Sequence, residues 1–274
     1  MDHKRIEWLF FIVFVLINLY LGIEIWRSPV RLNDATTKTN ANIRTEMQGD
    51  GIELPRNISD KIDAGYYLAT KEANYLSDKV STLTAMNAEY TKGNSTLTAT
   101  PKMTVTLGKT PTEIVARLNK FKNVSANVAY GHQFTYETNL SGGDTYVFVQ
   151  TSTYGRIYDD NAVLTFTVRS GRLVMYTQTY IGPVRPVREL QSTISGWHAV
   201  STMYTDQELA NNSKIVALKL GYSKMTVVCG SVILLPSWLV WVENKETKNI
   251  TLKRVNAFNG QILQANTIYS VEKN

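Results

Sequence analysis

The sequence predicts an α+β protein: an N-terminal transmembrane helix followed by an extracytoplasmic region of two similar helix-plus-antiparallel-sheet lobes. Three observations carry this. An uncharged run, WLFFIVFVLINLYLGI (residues 8–23), lies between Glu7 and Glu24. Two stretches of helical periodicity begin near Thr110 and Pro186. The segments after each alternate apolar and polar residues around glycine-containing turns, so one helix followed by an antiparallel meander occurs twice. That order differs from the strand–helix alternation of a parallel doubly wound sheet.

The N-terminal run comes first. As a helix, Trp8 to Trp26 would extend roughly 28 Å, close to a ~30 Å hydrocarbon core. The two indoles bracket it where such rings favour the membrane interfaces. The segment after Gly22, IEIWRSPV, lacks a small-x-small cleavage site, and no cysteine is near for a lipid anchor. An uncleaved single-pass anchor in the cell membrane is therefore expected, with a short, neutral cytoplasmic head and the large remainder extracytoplasmic. Lys4 and Arg5 before the run and Arg27 and Arg31 after it give little orientation by charge alone. The chain divides accordingly into a head (1–7), a transmembrane helix (8–26), a polar juxtamembrane stalk (27–51), a first lobe (52–182) and a second (183–274). A short helix is expected around 41–48 in the stalk.

The lobes follow in order. Tyr66 to Leu68 and Thr96 to Leu107 suggest strands. Thr110-Pro111-Thr112-Glu113 is a capping box with proline at the first helical position, and Ile114, Val115, Leu118 and Phe121 then form one apolar face. Strands are predicted at 134–138 and 146–151 around Ser141-Gly142-Gly143-Asp144, and at 163–168 and 173–180 around Ser170-Gly171. Gly182-Pro183 breaks the sheet, and a second helix is placed from Pro186, with Val187, Leu190, Ile194, Trp197 and Tyr204 at helical spacing. Strands at 215–222, 225–235, 238–242, 250–258 and 261–270 follow, the last two meeting at Asn259-Gly260.

Composition narrows the function. With 274 residues, 43% hydrophobic and 19% charged, the chain is neither disordered nor fibrous. A single cysteine, Cys229, and three histidines exclude an internal disulfide, a four-cysteine zinc site and a histidine-rich metal centre. The net charge of +6 is scattered, so no basic face for nucleic acid is expected. Ser195 precedes His198, but a serine in mid-helix without a nucleophile elbow is not a hydrolase site. Cys229, within MTVVCGSVILL, reads as a small buried hydrophobe. Asp159-Asp160 reads as a turn, and no phosphate-cradling glycine loop occurs. No cofactor is expected.

The neutral head and span MDHKRIEWLFFIVFVLINLYLG, LTFTVRSGRLVMYTQTY (Leu164–Tyr180), the helix ending at Met203-Tyr204, SKIVALKLGYSKM (Ser213–Met225), LLPSWLVWV (Leu234–Val242) and VNAFNGQIL (Val255–Leu263) together resemble the YycI (WalI) family. That family accompanies the WalK–WalR (YycG–YycF) two-component system of low-GC Gram-positive bacteria. The segment from Thr36 to Ala126 resembles it only loosely. The resemblance implies a non-enzymatic, membrane-anchored regulator that acts with a YycH-like membrane protein on a WalK-like, cell-wall-sensing histidine kinase. It also implies two α+β lobes outside the membrane.

Within the apolar run, Asn18 is a polar amide with Gly22 one turn on and Phe11, Phe14 and Val15 on nearby positions. An interhelical hydrogen bond from such an amide is worth about 1 kcal/mol, and glycine permits close approach. Phe11, Phe14, Val15, Asn18 and Gly22 are therefore the expected partner-contact face. Two other classes stay open at this point: an extracytoplasmic sensor module with an unidentified small-molecule ligand, and a membrane-anchored cell-wall enzyme.

Overall fold

A computed structural model describes Trp8, residues 10–20 and residues 42–263. It separates Met1–Gly49 from Asp50–Asn274. In the first unit, α1 (residues 10–20) and α2 (residues 42–49) are helical. Among the described residues of the second, α3 (Pro111–Lys122) and α4 (Gly196–Thr205) accompany fifteen strands. These are β1 (Ala64–Gly65), β2 (Leu68–Lys71), β3 (Met86–Thr91), β4 (Thr96–Pro101), β5 (Phe134–Tyr136), β6 (Thr145–Ser152), β7 (Gly155–Arg156) and β8 (Val163–Arg169). Then come β9 (Arg172–Gln178), β10 (Arg185–Pro186), β11 (Gln191–Ser192), β12 (Ser213–Val228), β13 (Ser231–Asn244), β14 (Ile250–Asn256) and β15 (Ile262–Leu263).

Two antiparallel sheets dominate. The first runs β3-β4-β9-β8-β6-β5 with β7 beside β6; the second runs β10-β2-β13-β14-β15 with β12 beside β13. Alternation along β6 ties them together. Phe148 packs with Phe166, Tyr176, Ile114 and Leu118 under α3, while Val147 and Val149 turn the other way onto Leu239, Trp241, Ile250 and Leu252. With both faces covered, the centre of β6 is buried continuously. On the outer side of the second sheet, Trp238 Nε1 donates to the Ile194 carbonyl at 2.9 Å just ahead of α4. The order of layers is thus α3, first sheet, second sheet, α4.

α3 starts as its capping box dictates. Thr110 Oγ1 accepts from the Glu113 amide at 3.3 Å. Glu113 Oε2 accepts in return from the amides of Lys109 (3.1 Å) and Thr110 (3.4 Å), which hold its carboxyl below the usual range. Ser170-Gly171 also closes its hairpin, with both φ angles positive (49° and 69°).

No helix among the described residues is long and apolar enough to cross a membrane; of the expected span 8–26, residues 9 and 21–26 lie outside the described residues. Three other expectations change. α4 begins at Gly196 instead of near Pro186. Pro186, with no N–H to give, lies in β10 at the edge of the sheet, antiparallel to β2, and Val187 and Leu190 are exposed. Ser195 is consequently the N-cap, its Oγ accepting from the His198 amide at 3.1 Å, and not a mid-helix residue. Finally, β12 runs unbroken through Met225, with an irregularity after Lys224, and the chain reverses at Cys229-Gly230. Their φ values of 48° and 69° suit a tight hairpin, and Cys229 is exposed at its tip.

β2 precedes α3 in the chain yet pairs with β13, Leu68 opposite Leu234. A strand that is early in sequence thereby completes the second sheet, and its Leu68 is fully buried.

Candidate functional site

On α1, the residues 11, 14, 15 and 18 recur at helical spacing and share one stripe. Phe11, Phe14 and Val15 are exposed. Asn18 Nδ2 donates to the Phe14 carbonyl at 2.8 Å, so one amide proton is used within the helix. The other proton and Oδ1 remain available to a neighbour. Gly22 lies outside the described residues.

The catalytic alternatives gain no geometry. His198 sits in the first turn of a capped helix and Ser195 serves as its cap. His132 lies in a single 3₁₀ turn. Asp159 Oδ1 accepts from both the backbone and side-chain nitrogens of Asn161 at 3.0 Å, an Asx turn. Among the described residues no group of three or more His, Cys, Asp or Glu could hold a metal ion.

The most concentrated electrostatics lies between the sheets. Glu137 follows β5, and its side chain is fully buried. Its Oε1 accepts from Lys219 Nζ at 2.6 Å and from Asn139 N and Nδ2 at 3.3 and 3.1 Å. Its Oε2 accepts from Arg156 Nη1 at 2.9 Å and Tyr158 Oη at 2.7 Å. Burial by itself pushes the Glu137 carboxyl up, but the Lys219 ammonium, the Tyr158 hydroxyl and the Asn139 amide outweigh it, and the group ionises below its usual range. Burial and the adjacent carboxylate push the Tyr158 hydroxyl up, so it stays a donor.

Glycine makes this arrangement possible. A Cβ on Gly221 would stand 2.7 and 2.8 Å from the Tyr158 ring and 3.1 Å from the Arg156 carbonyl. The bare backbone of β12 lets the ring lie against it and packs Tyr158 edge-on to Trp241, 5.8 Å between centroids. With both oxygens saturated, Glu137 has no room to act as a general base. Its chemistry is that of a clamp, joining the end of β5 in the first sheet to β12 in the second.

None of Glu137, Arg156, Tyr158 or Lys219 stood out in the sequence, because FTYET and ALKLGY read as ordinary alternating strands. The one legible hint was Gly221 inside a strand, a mark of close approach. A second surface feature is the tip of the β12–β13 hairpin, where Met225, Val227 and Val228 are exposed at 54, 39 and 52%.

Comparison with known proteins adds a family. The family model described as YycI protein matches residues 32–258. No curated protein matches the chain in sequence. Among solved structures, the chain is similar to an uncharacterized protein from Eubacterium rectale ATCC 33656, with a TM-score of 0.46 and 10% identity over 79% of this chain and 91% of that one. It is also similar to the Bacillus megaterium YpeB C-terminal domain, with a TM-score of 0.40 and 10% identity over 86% of this chain and 97% of that one.

Proposed function

The chain belongs to the YycI family, and from that premise we propose that it is a single-pass, membrane-anchored regulator of a WalK-like sensor histidine kinase. The family is a regulatory one associated with the WalK (YycG) system and with the membrane. The finer reading is our own. The N-terminal helix, taken across 8–26, seats the chain in the lipid with residues 1–7 cytoplasmic; 27–51 is the stalk, and the two-sheet region lies outside the cell. There it acts with a YycH-like partner through contacts of the span and of the outer region, and it transforms no substrate.

The observation that carries this is the family match over residues 32–258, which takes in the first sheet, α4 and the second sheet through β14. Physically, one single-pass protein biases another's conformational equilibrium only if it binds one state better than the other. The stripe Phe11, Phe14, Val15, Asn18 and Gly22 is our choice for the contact inside the membrane. Asn18 supports it, with an amide oxygen still to be satisfied in an apolar surrounding.

An affinity pull-down from solubilised membranes tests both statements. Full-length chain is expected to retain the kinase and a YycH-like protein. Removing residues 1–26 is expected to weaken retention strongly, and Asn18→Leu to weaken it several-fold. Equal recovery by all three chains would retire the contact within the lipid, and recovery of neither protein by the intact chain would retire the regulator reading.

A further inference from the structure

β3 is the outermost strand of the first sheet. Its ladder with β4 runs without a bulge, so register says where each backbone group points. Lys102 N donates to the Ala85 carbonyl at 3.1 Å, across the pair Met86 and Pro101. Asn87, Glu89 and Thr91 therefore exchange bonds with β4, whereas Ala88 and Tyr90 turn their N–H and C=O groups outward. The Met86 amide is used by the Leu83 carbonyl at 3.0 Å. From Ala88 on, no backbone group among the described residues meets this edge.

Three further sheet edges are guarded. β10 carries Pro186. β12 has irregularities after Ile215 and Lys224, bears Lys214 and Lys224, and shares backbone bonds with Glu53 and Tyr158. β5 is only three residues long. Proline, lysine, bulges and shortness are the devices by which natural sheets refuse another strand. β3 is six residues of sequence MNAEYT, with no proline, no lysine and no bulge.

A groove of about 710 Å³ lies beside this edge, lined by Asn87, Ala88 and Glu89 and by Ser81 and Thr84 ahead of β3. A row of unused amides and carbonyls is matched in spacing by another extended backbone. Glu89 says what that backbone carries. Its side chain is exposed, opposite Thr98, with Thr96 and Thr100 diagonal to it. Among the described residues no cation lies within ion-pair distance of it. A residue facing Glu89 on an added strand would have its Cβ roughly 5 Å away, where an opposite charge stabilises and a like charge does not. β3 of a second copy offers no such charge, because MNAEYT holds neither lysine nor arginine.

We propose that the outer edge of β3 takes an added strand: an extended segment of a partner polypeptide with a lysine or arginine opposite Glu89. Ala88 and Tyr90 supply the backbone bonds, and Glu89 selects the charge. The edge is read from the ladder alone and stands whether or not the chain regulates a kinase. The pull-down decides that reading, and the purified chain decides this one.

Amide hydrogen exchange of the full chain is followed with a capped peptide, TVTKTVT, with its TVTETVT counterpart, and with TVTKTVT methylated at every amide nitrogen. TVTKTVT is expected to slow exchange at Ala88 and Tyr90 about tenfold at saturation, leaving Asn87 and Glu89 unchanged because β4 already protects them. TVTETVT is expected to bind several-fold more weakly, and the methylated peptide to give no protection. Ala88→Pro removes an amide that points away from β4, so it is expected to keep the wild-type Tm and lose the peptide response. Glu89→Lys is expected to reverse the preference between the two unmethylated peptides, and it decides the matter should Ala88→Pro fail to fold. No protection by TVTKTVT, equal binding of the lysine and glutamate peptides, or protection by the methylated peptide would overturn the proposal. So would protection that grows with chain concentration in the absence of peptide, which would make a second copy the occupant.

Discussion

Glu137 concentrates at one residue what holds the sheets together. A fully buried carboxylate is tolerable only because Lys219, Arg156, Tyr158 and Asn139 donate to both of its oxygens. Since the folded protein ionises Glu137 below its ordinary value of 4.5, the unfolded chain takes up the proton first as pH drops. The clamp is therefore fully effective above the range where an unfolded glutamate titrates, and it is lost as pH falls through the lower folded value. Urea unfolding across a pH series should show wild type losing stability below about pH 5. Glu137→Gln should be about 3 kcal/mol less stable at neutral pH, at the low end for a broken buried pair because Arg156 and Lys219 keep 37 and 36% exposure. Its stability should also fall less steeply in acid.

At the scale of an element, the β12–β13 hairpin carries most of the second sheet. The hairpin reverses at a cysteine with φ +48°, a conformation that side chains other than Asn, Asp and Gly adopt at a cost. Cys229→Asn should raise stability by about 0.5 kcal/mol, read as a higher urea midpoint at unchanged slope. The same element explains what was legible and what was not. Thr110, Pro111 and Glu113 announce α3 because capping acts through neighbours in sequence, and Ser170-Gly171 announces its hairpin likewise. Cys229 announces nothing, since no Asn or Asp marks the turn and MTVVCGSVILL reads as one apolar strand. Ser195, three residues before His198, is a legible cap in retrospect; the spacing of Val187 and Leu190 concealed it by imitating an earlier helical turn.

Taken whole, the second unit places its sheets face to face across Val147, Val149, Leu239, Trp241, Ile250 and Leu252, with the Glu137 clamp beside them. The α+β class and the antiparallel character were legible from alternation and turns, because both are local. Which strand joins which sheet was not: β2 crosses to β13, and no residue from 68 to 71 records that destination. Nor could periodicity pair Glu137 with Lys219, since that relation exists only after the sheets meet. The shared interior implies one cooperative transition. Leu239→Ala, at a fully buried position, should cost about 3 kcal/mol. It should also shift two signals together: tryptophan fluorescence, whose Trp197, Trp238 and Trp241 lie in α4 and the second sheet, and far-ultraviolet circular dichroism, to which the first sheet contributes. Two separated transitions would show that the sheets hold independently.

Because the sole sulfhydryl of the chain caps a projecting loop, the unaltered molecule already offers a single chemical handle. A charged, membrane-impermeant maleimide added to intact cells would react there or nowhere, and so would report on which side of the bilayer that loop emerges without a single engineered residue.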